Sequence, residues 1–244
     1  MLGYGKSDIG KLRANNEDAF YVNNEGPGPL SNLFVLADGM GGHNAGEIAS
    51  KQAISSFCDF ITKNTGFMYK QDFLAEALAF ANTKVHTDAQ SNPQLSGMGT
   101  TFSACTISEN NLYYAHVGDS RIYIVKDGEI KQLTKDHSLV ADLVTEGLIS
   151  EEEAKNHPDK NVLMRAVGTD LQVIIDKGYY PLNGVDYVLL CSDGLTDMIS
   201  DQKILDILQE GAEIPDKIDL LITAALEAGG VDNISAIVMG CKDK

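Results

Sequence analysis

The sequence is short of positive charge. Its 244 residues include 19 lysines and arginines against 35 aspartates and glutamates, and the formal net charge is −16 at pH 7. A chain this acidic repels the phosphates of nucleic acids and of anionic membranes. We therefore expect neither a nucleic acid nor a membrane surface among its partners. Carboxylates that cluster within such a chain need cations to offset their repulsion.

Long apolar runs are also missing. No stretch approaches the roughly 18 uninterrupted apolar residues that mark a membrane-spanning helix. The first residues, "MLGYGKSDIG", lack the apolar region of a signal peptide. The sequence thus predicts a cytoplasmic protein. Because the length suits one domain with a substantial core, we expect a single catalytic domain over residues 1–244.

Cysteine is rare, and its spacing excludes one class of phosphatase. No two of the four cysteines form a CxxC pair, and their apolar neighbours indicate buried, reduced thiols. A phosphatase with a cysteine nucleophile has arginine six positions after that cysteine. Those positions hold Asn64, Asn111 and Asp197 after Cys58, Cys105 and Cys191, and lie beyond the last residue for Cys241. Asp-x-Asp, the motif of aspartyl-phosphate phosphatases, does not occur.

Runs rich in β-branched and aromatic residues predict many strands. They read "AFYVN", "LFVLA", "TTFSACTI", "LYYAHVG", "RIYIVKDGEIKQL", "LQVIIDKGYY", "YVLLCS" and "NISAIVMG". Asp127-Gly128 between two such runs is typical of a two-residue hairpin. Helical patterns read "AGEIASKQAISSFCDFITK", "KQDFLAEALAFANTKVHTDAQ" and "PDKIDLLITAALEAG". Hairpin-linked strands with helices in blocks favour an α+β fold, in which helices pack on antiparallel sheet.

The segment over residues 135–168 differs from the rest. It is polar, helical only in short pieces, and interrupted by Gly147 and Pro158. Such a segment predicts a small insertion over one face of the sheet.

Acidic residues stand at the ends of several predicted strands. They are Glu17, Asp18, Asp38, Asp119, Asp193 and Asp232. Strand ends of one sheet share an edge, so these side chains can converge. Carboxylate and carbonyl oxygens favour Mg²⁺ or Mn²⁺ over zinc. Gly39, which lacks a Cβ, lets its carbonyl approach an ion closely.

These motifs, in this order, resemble the type 2C metal-dependent protein serine/threonine phosphatases in their compact bacterial form. The resemblance covers essentially the whole chain. The segments that carry it are "RANNEDAF", "LADGMGGHNAGEIAS", "SGMGTTFSA", "AHVGDSRIY", "LLCSDGLTDMI" and "GGVDNISAIV", with "DHS", "NVL" and "RAVG" in the segment 135–168.

The resemblance implies a four-layer α-β-β-α sandwich of two antiparallel sheets flanked by helices, with residues 135–168 as a small flap insertion. It implies two tightly bound Mn²⁺ or Mg²⁺ ions and a weaker third. The metal ligands it implies are Asp38, which the first two ions share, the Gly39 carbonyl, Asp193 and Asp232, and Asp119 with Asp193 for the third ion. Glu17 and Asp18 are expected to contact metal-bound water.

The implied reaction is hydrolysis of phosphoserine and phosphothreonine in proteins by a metal-activated water, without a covalent phosphoenzyme. Arg13 matches the arginine that binds the substrate phosphate. In some family members a histidine directly after Asp-Gly is the candidate acid for the leaving oxygen. Here Met40 holds that position, and His43, three residues later, is either that acid or a residue with a structural role. Asn233 and Asp197 are expected to contact the metal-binding side chains and fix their orientation.

Two other functions stay open from the sequence: a phosphatase for small phosphate esters, and a catalytically silent binding module of the same fold. The silent module predicts missing ligands, whereas all six acids and Arg13 are present. The resemblance suggests phosphoproteins as partners, among them a serine/threonine kinase and its substrates. We expect a monomer.

Overall fold

The computed structural model describes residues 2–42 and 45–241. The strands of this part are β1 Gly3–Asp8, β2 Asp18–Asn23, β3 Leu33–Met40, β4 Gly99–Thr100, β5 Phe102–Ser108, β6 Asn111–Val117, β7 Arg121–Lys126, β8 Glu129–Gln132, β9 Asp176–Pro181, β10 Val185–Cys191 and β11 Ile234–Gly240. The helices are α1 Ala45–Lys63, α2 Lys70–Ser91, α3 Leu139–Thr145, α4 Glu151–Lys155, α5 Asp193–Thr196, α6 Asp201–Gln209 and α7 Ile214–Glu227.

The strands form two antiparallel sheets. Sheet A has the order β1-β11-β10-β7-β8, and sheet B has the order β2-β3-β5-β6-β9, with β4 paired to β3. Hairpins join β5 to β6 and β7 to β8. The β6–β7 connection crosses from sheet B to sheet A, and it carries Asp119.

Three clusters of apolar side chains hold the sheets and helices together. One cluster packs α1 and α2 on sheet B, where the rings of Phe57 and Phe102 lie 5.0 Å apart. A second packs α6 and α7 on sheet A, and a third fills the space between the two sheets. Helix, sheet, sheet and helix thus follow one another, which confirms the predicted α+β fold of four layers.

The helices predicted from periodicity are present. The patterns at 45–63 and 70–90 form α1 and α2, and the third pattern forms α7, which has Pro215 in its first turn. The hairpin at Asp127-Gly128 is also present, with Lys126 opposite Glu129 and positive φ at both turn residues.

Other elements differ from the prediction. Strand β1 and helix α6 were not predicted, and the run "LQVIIDKGYY" forms a strand only from Asp176 onward. The partner strand β6 has its last pair with β9 at His116 opposite Asp176. Residues 171–175 therefore have no strand to pair with. Leu171 and Ile174 are exposed there, although the run is apolar.

Residues 135–168 contain the two short helices α3 and α4. Ser138 and Ser150 cap them by accepting hydrogen bonds from backbone N–H groups of the first turn. Both ends of the segment are fixed to the body of the protein. The His137 N–H donates to the Gly118 carbonyl (2.8 Å), and the Val167 N–H donates to the Thr100 carbonyl (2.8 Å). The flap is thus anchored beside the β6–β7 connection.

Cys58, Cys105, Cys191 and Cys241 are all free. In the described part of the chain no helix combines the length and the apolar character that crossing a membrane requires.

Candidate active site

The acidic residues singled out in the sequence lie at one edge of the sandwich. Asp38 is near the end of β3, and Asp18 begins β2 directly opposite it in the antiparallel ladder. Directly opposed side chains of such a ladder have Cβ atoms about 5 Å apart. In sheet A, Asp193 follows β10 and Asp232 precedes β11, whose start pairs with the end of β10. The strand ends thereby bring acids of both sheets together.

Asp18 connects the two sheets at this edge. Its Oδ2 accepts hydrogen bonds from the hydroxyls of Ser192 (2.9 Å) and Ser235 (2.6 Å), both fully buried in sheet A. The Ser235 N–H donates in turn to the Ser192 hydroxyl (3.0 Å). These bonds fix Asp18 against the strand ends that present Asp193 and Asp232.

The backbone of Asp38 is held by two threonines. Its N–H donates to the Thr101 hydroxyl (2.9 Å), and its carbonyl accepts from the Thr101 N–H (2.8 Å) and the Thr100 hydroxyl (2.8 Å). The Thr101 hydroxyl also bonds that of Ser120, next to Asp119. One buried polar cluster therefore sets the positions of Asp38 and of the Asp119 turn.

Glycine is required at two positions of this edge. A Cβ on Gly39 would lie 2.1 Å from the Gly46 carbonyl oxygen of α1, so the glycine lets the helix pack directly on β3. Gly118 has a φ of +108°, and a Cβ there would meet Thr101 at 2.6 Å. Packing thus accounts for Gly39, and the role of its carbonyl as a metal ligand stays a prediction.

Arg13 lies at the cluster. Its guanidinium donates to Asp232 Oδ2 at 2.6 Å, and its side chain keeps 48% of its surface exposed. Burial lowers the pKa of Arg13, but the charge and hydrogen bond of Asp232 and the charges of Glu17 and Asp38 together raise it above its usual value. An exposed guanidinium beside several carboxylates is suited to binding a phosphate that arrives from solvent.

Asn233 holds the loop that carries Arg13 and Glu17. Its side-chain oxygen accepts from the Glu17 N–H (2.8 Å), and its amide donates to the carbonyls of Ile9 (2.9 Å) and Asn15 (3.0 Å). The residue is 4% exposed. Asn233 therefore supports the site by holding the loop 9–17 in place through three hydrogen bonds.

The acids raise one another's pKa values. Burial, followed by the charges of Asp18, Asp193, Asp119 and Asp232, raises the pKa of Asp38 well above its usual range. Burial, followed by Asp119, Asp197 and Asp232, does the same to the pKa of Asp193. Burial is the first cause for Asp18 and Asp119 as well, and the pKa of each is raised to about 6. Burial also raises the pKa of Glu17. Cations would relieve this repulsion.

The donor set fits divalent ions. Glu17 Oε1, Asp18 Oδ1 and Asp193 Oδ1 are buried oxygens that accept no hydrogen bond from the described residues. Such oxygens are costly unless a ligand occupies them. Within residues 2–42 and 45–241, however, no three His, Cys, Asp or Glu side chains are already arranged to hold an ion. Asp232 contacts Arg13 in this structure.

Asp197 contacts the flap rather than the other acids. It accepts a hydrogen bond from Lys160 Nζ at 2.5 Å, and this ion pair crosses a cleft of about 690 Å³. The cleft is lined by the flap on one side, by residues 193–202 on the other, and by Asp119 at its inner end. The cleft thereby gives a route from solvent to Asp119 and Asp193.

His43, the candidate acid, lies outside the described residues. Met40 is the last residue of β3. His116, in β6, is fully buried. Its Nδ1 lies 2.9 Å from the Ser103 hydroxyl, and its Nε2 lies 3.2 Å from the Lys135 carbonyl at the start of the flap.

Burial of His116 predicts a pH dependence of stability. Burial and the neighbouring His137 lower its pKa from 6.5 to about 3. The unfolded chain therefore binds a proton there that the folded chain does not, and stability falls as the pH drops below about 6.5. Replacing His116→Gln removes this titration. We expect the free energy of unfolding of wild type, relative to this variant, to fall by about 2 kcal/mol between pH 7.5 and 5.0.

Urea unfolding with a fixed chelator concentration at both pH values measures this difference. The comparison with the variant cancels the contributions of the carboxylates. A difference that stays constant with pH would contradict the neutral, buried state of His116.

The sequence analysis did not identify several residues that build the site. They are Thr101, Ser120, Ser192, Ser235 and Lys160. Serine and threonine beside a strand carry no recognisable signal, because their role depends on contacts between distant strands. Ser192 and Ser235 are adjacent only because the end of β10 pairs with the start of β11.

Comparisons with known proteins agree on one family. A family model described as protein phosphatase 2C matches residues 5–227. The chain is 38% identical over 238 residues to the serine/threonine phosphatase stp of Listeria welshimeri, covering 96% of this chain and 93% of the relative.

Solved structures give the same result. The serine/threonine phosphatase Stp1 from Staphylococcus aureus is 36% identical, with a TM-score of 0.93 and coverage of 100% of this chain and 96% of that one. The catalytic domain of the serine/threonine protein phosphatase PstP, in complex with two manganese ions, is 36% identical, with a TM-score of 0.83 and coverage of 99% and 98%.

Proposed function

The chain belongs to the protein phosphatase 2C family, and from this we propose which of its residues perform the family's reaction. It is a metal-dependent protein serine/threonine phosphatase. The proposal is that the acids at the shared edge of the two sheets hold the ions and that Arg13 binds the phosphate. The strongest support is that Asp18 and Asp38 lie directly opposite each other in sheet B, next to buried carboxylate oxygens that have no hydrogen-bond partner among the described residues.

Asp38, Asp193 and Asp232, with the Gly39 carbonyl, are proposed to hold two ions, and Glu17 and Asp18 to orient water beside them. When bound, the ions lower the pKa of water and offset charge on the phosphate. Mn²⁺ or Mg²⁺ suits this all-oxygen donor set. Asp18 is anchored by Ser192 and Ser235, so its one free oxygen faces the other acids in a fixed position.

Arg13 is proposed to bind the phosphate once Asp232 has turned to an ion. The guanidinium then presents its donors to two phosphoryl oxygens, and charge-assisted bonds of this type are the strong ones. Asn233 keeps Arg13 and Glu17 in place through the loop 9–17. The leaving oxygen needs a proton, for which His43 stays the candidate.

A third, weaker ion is proposed between Asp119 and Asp193, at the inner end of the cleft below the flap. Asp197 is a further acid at this place, since its charge raises the pKa of both. Lys160, which forms an ion pair with Asp197, competes with the third ion for that carboxylate. Binding of the third ion is thereby linked to the position of the flap.

Replacing Asp119→Asn tests the third ion. We expect two ions to bind as in wild type while turnover falls about 100-fold, at the lower end of the range for removing one electrostatic contact at a reacting centre. Isothermal titration with Mn²⁺ and steady-state kinetics measure the two effects. Asp127→Asn, in the β7–β8 turn, is the matched control and should leave both unchanged. Full turnover in Asp119→Asn would mean that this acid is dispensable.

Phosphoproteins are the substrates of this class, and we propose a serine/threonine kinase and its targets as partners of a monomeric, cytoplasmic enzyme with a role in signalling. Phosphate release from a phosphothreonine peptide tests the proposal. Release with Mn²⁺ that a chelator abolishes is expected. Turnover of a small ester such as para-nitrophenyl phosphate without turnover of any phosphopeptide would instead favour a small-ester phosphatase. No release from either would favour a silent module.

A further inference from the structure

A groove of about 750 Å³ runs along one edge of sheet B. Its floor is the outer edge of β2, which has no neighbour in the sheet except β3. One wall is α1, from Glu47 to Asp59, and the other is the end of β1 with the loop 14–16. Of the residues that line the groove, only Asp18, at one end of the floor, has a role in the reaction proposed above.

Beyond Asp18, the outward main-chain groups of β2 form no hydrogen bond with other residues of the described part of the chain. Gly39 donates its N–H to the Glu17 carbonyl, so Asp18 and Asp38 form a pair without direct hydrogen bonds in the ladder. By alternation, the N–H and C=O groups of Phe20 and Val22 point away from β3. The Asp18 N–H is already bonded to Asn16 Oδ1 (3.1 Å). Free groups thus begin beside the proposed active site and continue away from it.

The groove is continuous with the proposed active site. Asp18 belongs to both, and the loop 14–16 that borders the groove directly follows Arg13. A chain lying on β2 would therefore reach the phosphate-binding residue at the Asp18 end. All strand pairs that the structure describes are antiparallel. An added antiparallel strand would run toward Asp18, so its C-terminal end would enter the site.

We propose that the groove binds the segment of a phosphoprotein substrate that precedes the phosphorylated residue, as an additional antiparallel strand on β2. This inference rests on the proposed function, because it names how the same site selects its substrate. An exposed strand edge is a template for such strand addition, in which main-chain bonds give affinity and side-chain pockets give selectivity.

The dimensions of the groove set the length of the bound segment. The α1 wall from Glu47 to Asp59 extends about 18 Å, at 1.5 Å per helical residue, which corresponds to about five residues of extended chain. Ala19, Ile54 and Cys58 line the groove and make it partly apolar. Because strand side chains alternate, every second residue before the phosphorylated one should favour an apolar side chain.

Filling the groove without touching the catalytic residues tests the proposal. Ser55 is exposed on α1 and lines the groove, so Ser55→Trp blocks it. Ser91→Trp, at the exposed end of α2, is the matched control. We expect Ser55→Trp to raise KM for a phosphothreonine peptide about tenfold and to leave turnover of para-nitrophenyl phosphate within twofold, while Ser91→Trp changes neither. Should Ser55→Trp misfold, Ser55→Lys replaces it.

Backbone N-methylation of the peptide tests the strand pairing itself. Methylation at alternate positions among the five residues before the phosphothreonine should raise KM about tenfold, and methylation after it should change KM less than twofold. The inference is overturned if Ser55→Trp leaves peptide turnover unchanged, if it reduces both substrates equally, or if only methylation after the phosphothreonine matters. If wild type cleaves the small ester but no peptide, the proposed substrate class fails and the inference with it.

Discussion

Replacing Asp38→Asn is expected to reduce phosphate release from a phosphopeptide by at least about 10³-fold, equivalent to about 4 kcal/mol of transition-state stabilisation. Asp38 lies opposite Asp18, and burial together with the charges of four neighbouring acids raises its pKa well above its usual range. A residue central to the charge cluster is the one that both tightly bound ions are proposed to share. Asparagine has the same shape but no charge to offset the ions.

The same substitution should stabilise the protein in a chelator. Because burial and repulsion raise the pKa of Asp38, its ionised form destabilises the metal-free fold as the pH rises. We expect the Tm of Asp38→Asn in EDTA to exceed that of wild type, by a margin that grows as the pH rises above the usual carboxyl range. Asp127→Asn is the control for removing a carboxylate elsewhere. Near-normal turnover with Mn²⁺, or a lower Tm in EDTA, would count against the assignment of Asp38.

Replacing Arg13→Ala is expected to affect substrate and metal in opposite directions. Loss of the guanidinium should raise KM for phosphopeptide and para-nitrophenyl phosphate by about 10- to 100-fold, since a hydrogen bond to a charged group contributes about 1.5–3 kcal/mol. Mn²⁺ affinity should stay the same or increase, because Asp232 is released from its 2.6 Å contact with Arg13.

Arg13→Lys separates charge from geometry. Lysine keeps the positive charge but lacks the planar fork that binds two oxygens, so an intermediate KM is expected. Kinetics at saturating Mn²⁺ and calorimetry with Mn²⁺ alone give the two quantities. A KM unchanged in Arg13→Ala would remove the residue from the phosphate site, and a loss of Mn²⁺ affinity would make it part of the metal site instead.

Long periodic segments were predicted correctly from the sequence, whereas elements that depend on distant partners were missed. Helices α1, α2 and α7 have continuous apolar faces. Strand β1 contains two glycines and no strong strand signal, yet it pairs with β11 along its whole length. Gly3 and Gly5 leave room there for the rings of Phe34 and Phe20. Tertiary packing therefore overrides the low strand propensity of these residues.

Helix α6 did have a signal, which the sequence analysis overlooked. Ser200 caps it by accepting a hydrogen bond from the Lys203 N–H, and apolar residues recur along one face. The element is nine residues long and follows the acidic motif around Asp193 closely.

The candidate site could be predicted only as far as its charged residues. An acid at a strand end is visible in a sequence, and the order of six of them indicates a shared edge. The contacts that fix them are not visible. Asp18 depends on two serines from sheet A, and Asp232 pairs with Arg13, a partner 219 residues away. Hydroxyl and guanidinium groups acquire such partners only when the two sheets pack.

The most direct test counts Mn²⁺ ions per chain at pH 7.5 for wild type and Asp38→Asn, with phosphopeptide turnover measured on the same samples. The acidic edge of the two sheets is proposed to hold two tight ions that the reaction requires. Two tight ions in wild type are therefore predicted, with fewer ions and no measurable turnover in Asp38→Asn. Two tight ions and wild-type turnover in the variant would contradict this account and place the reaction elsewhere on the molecule.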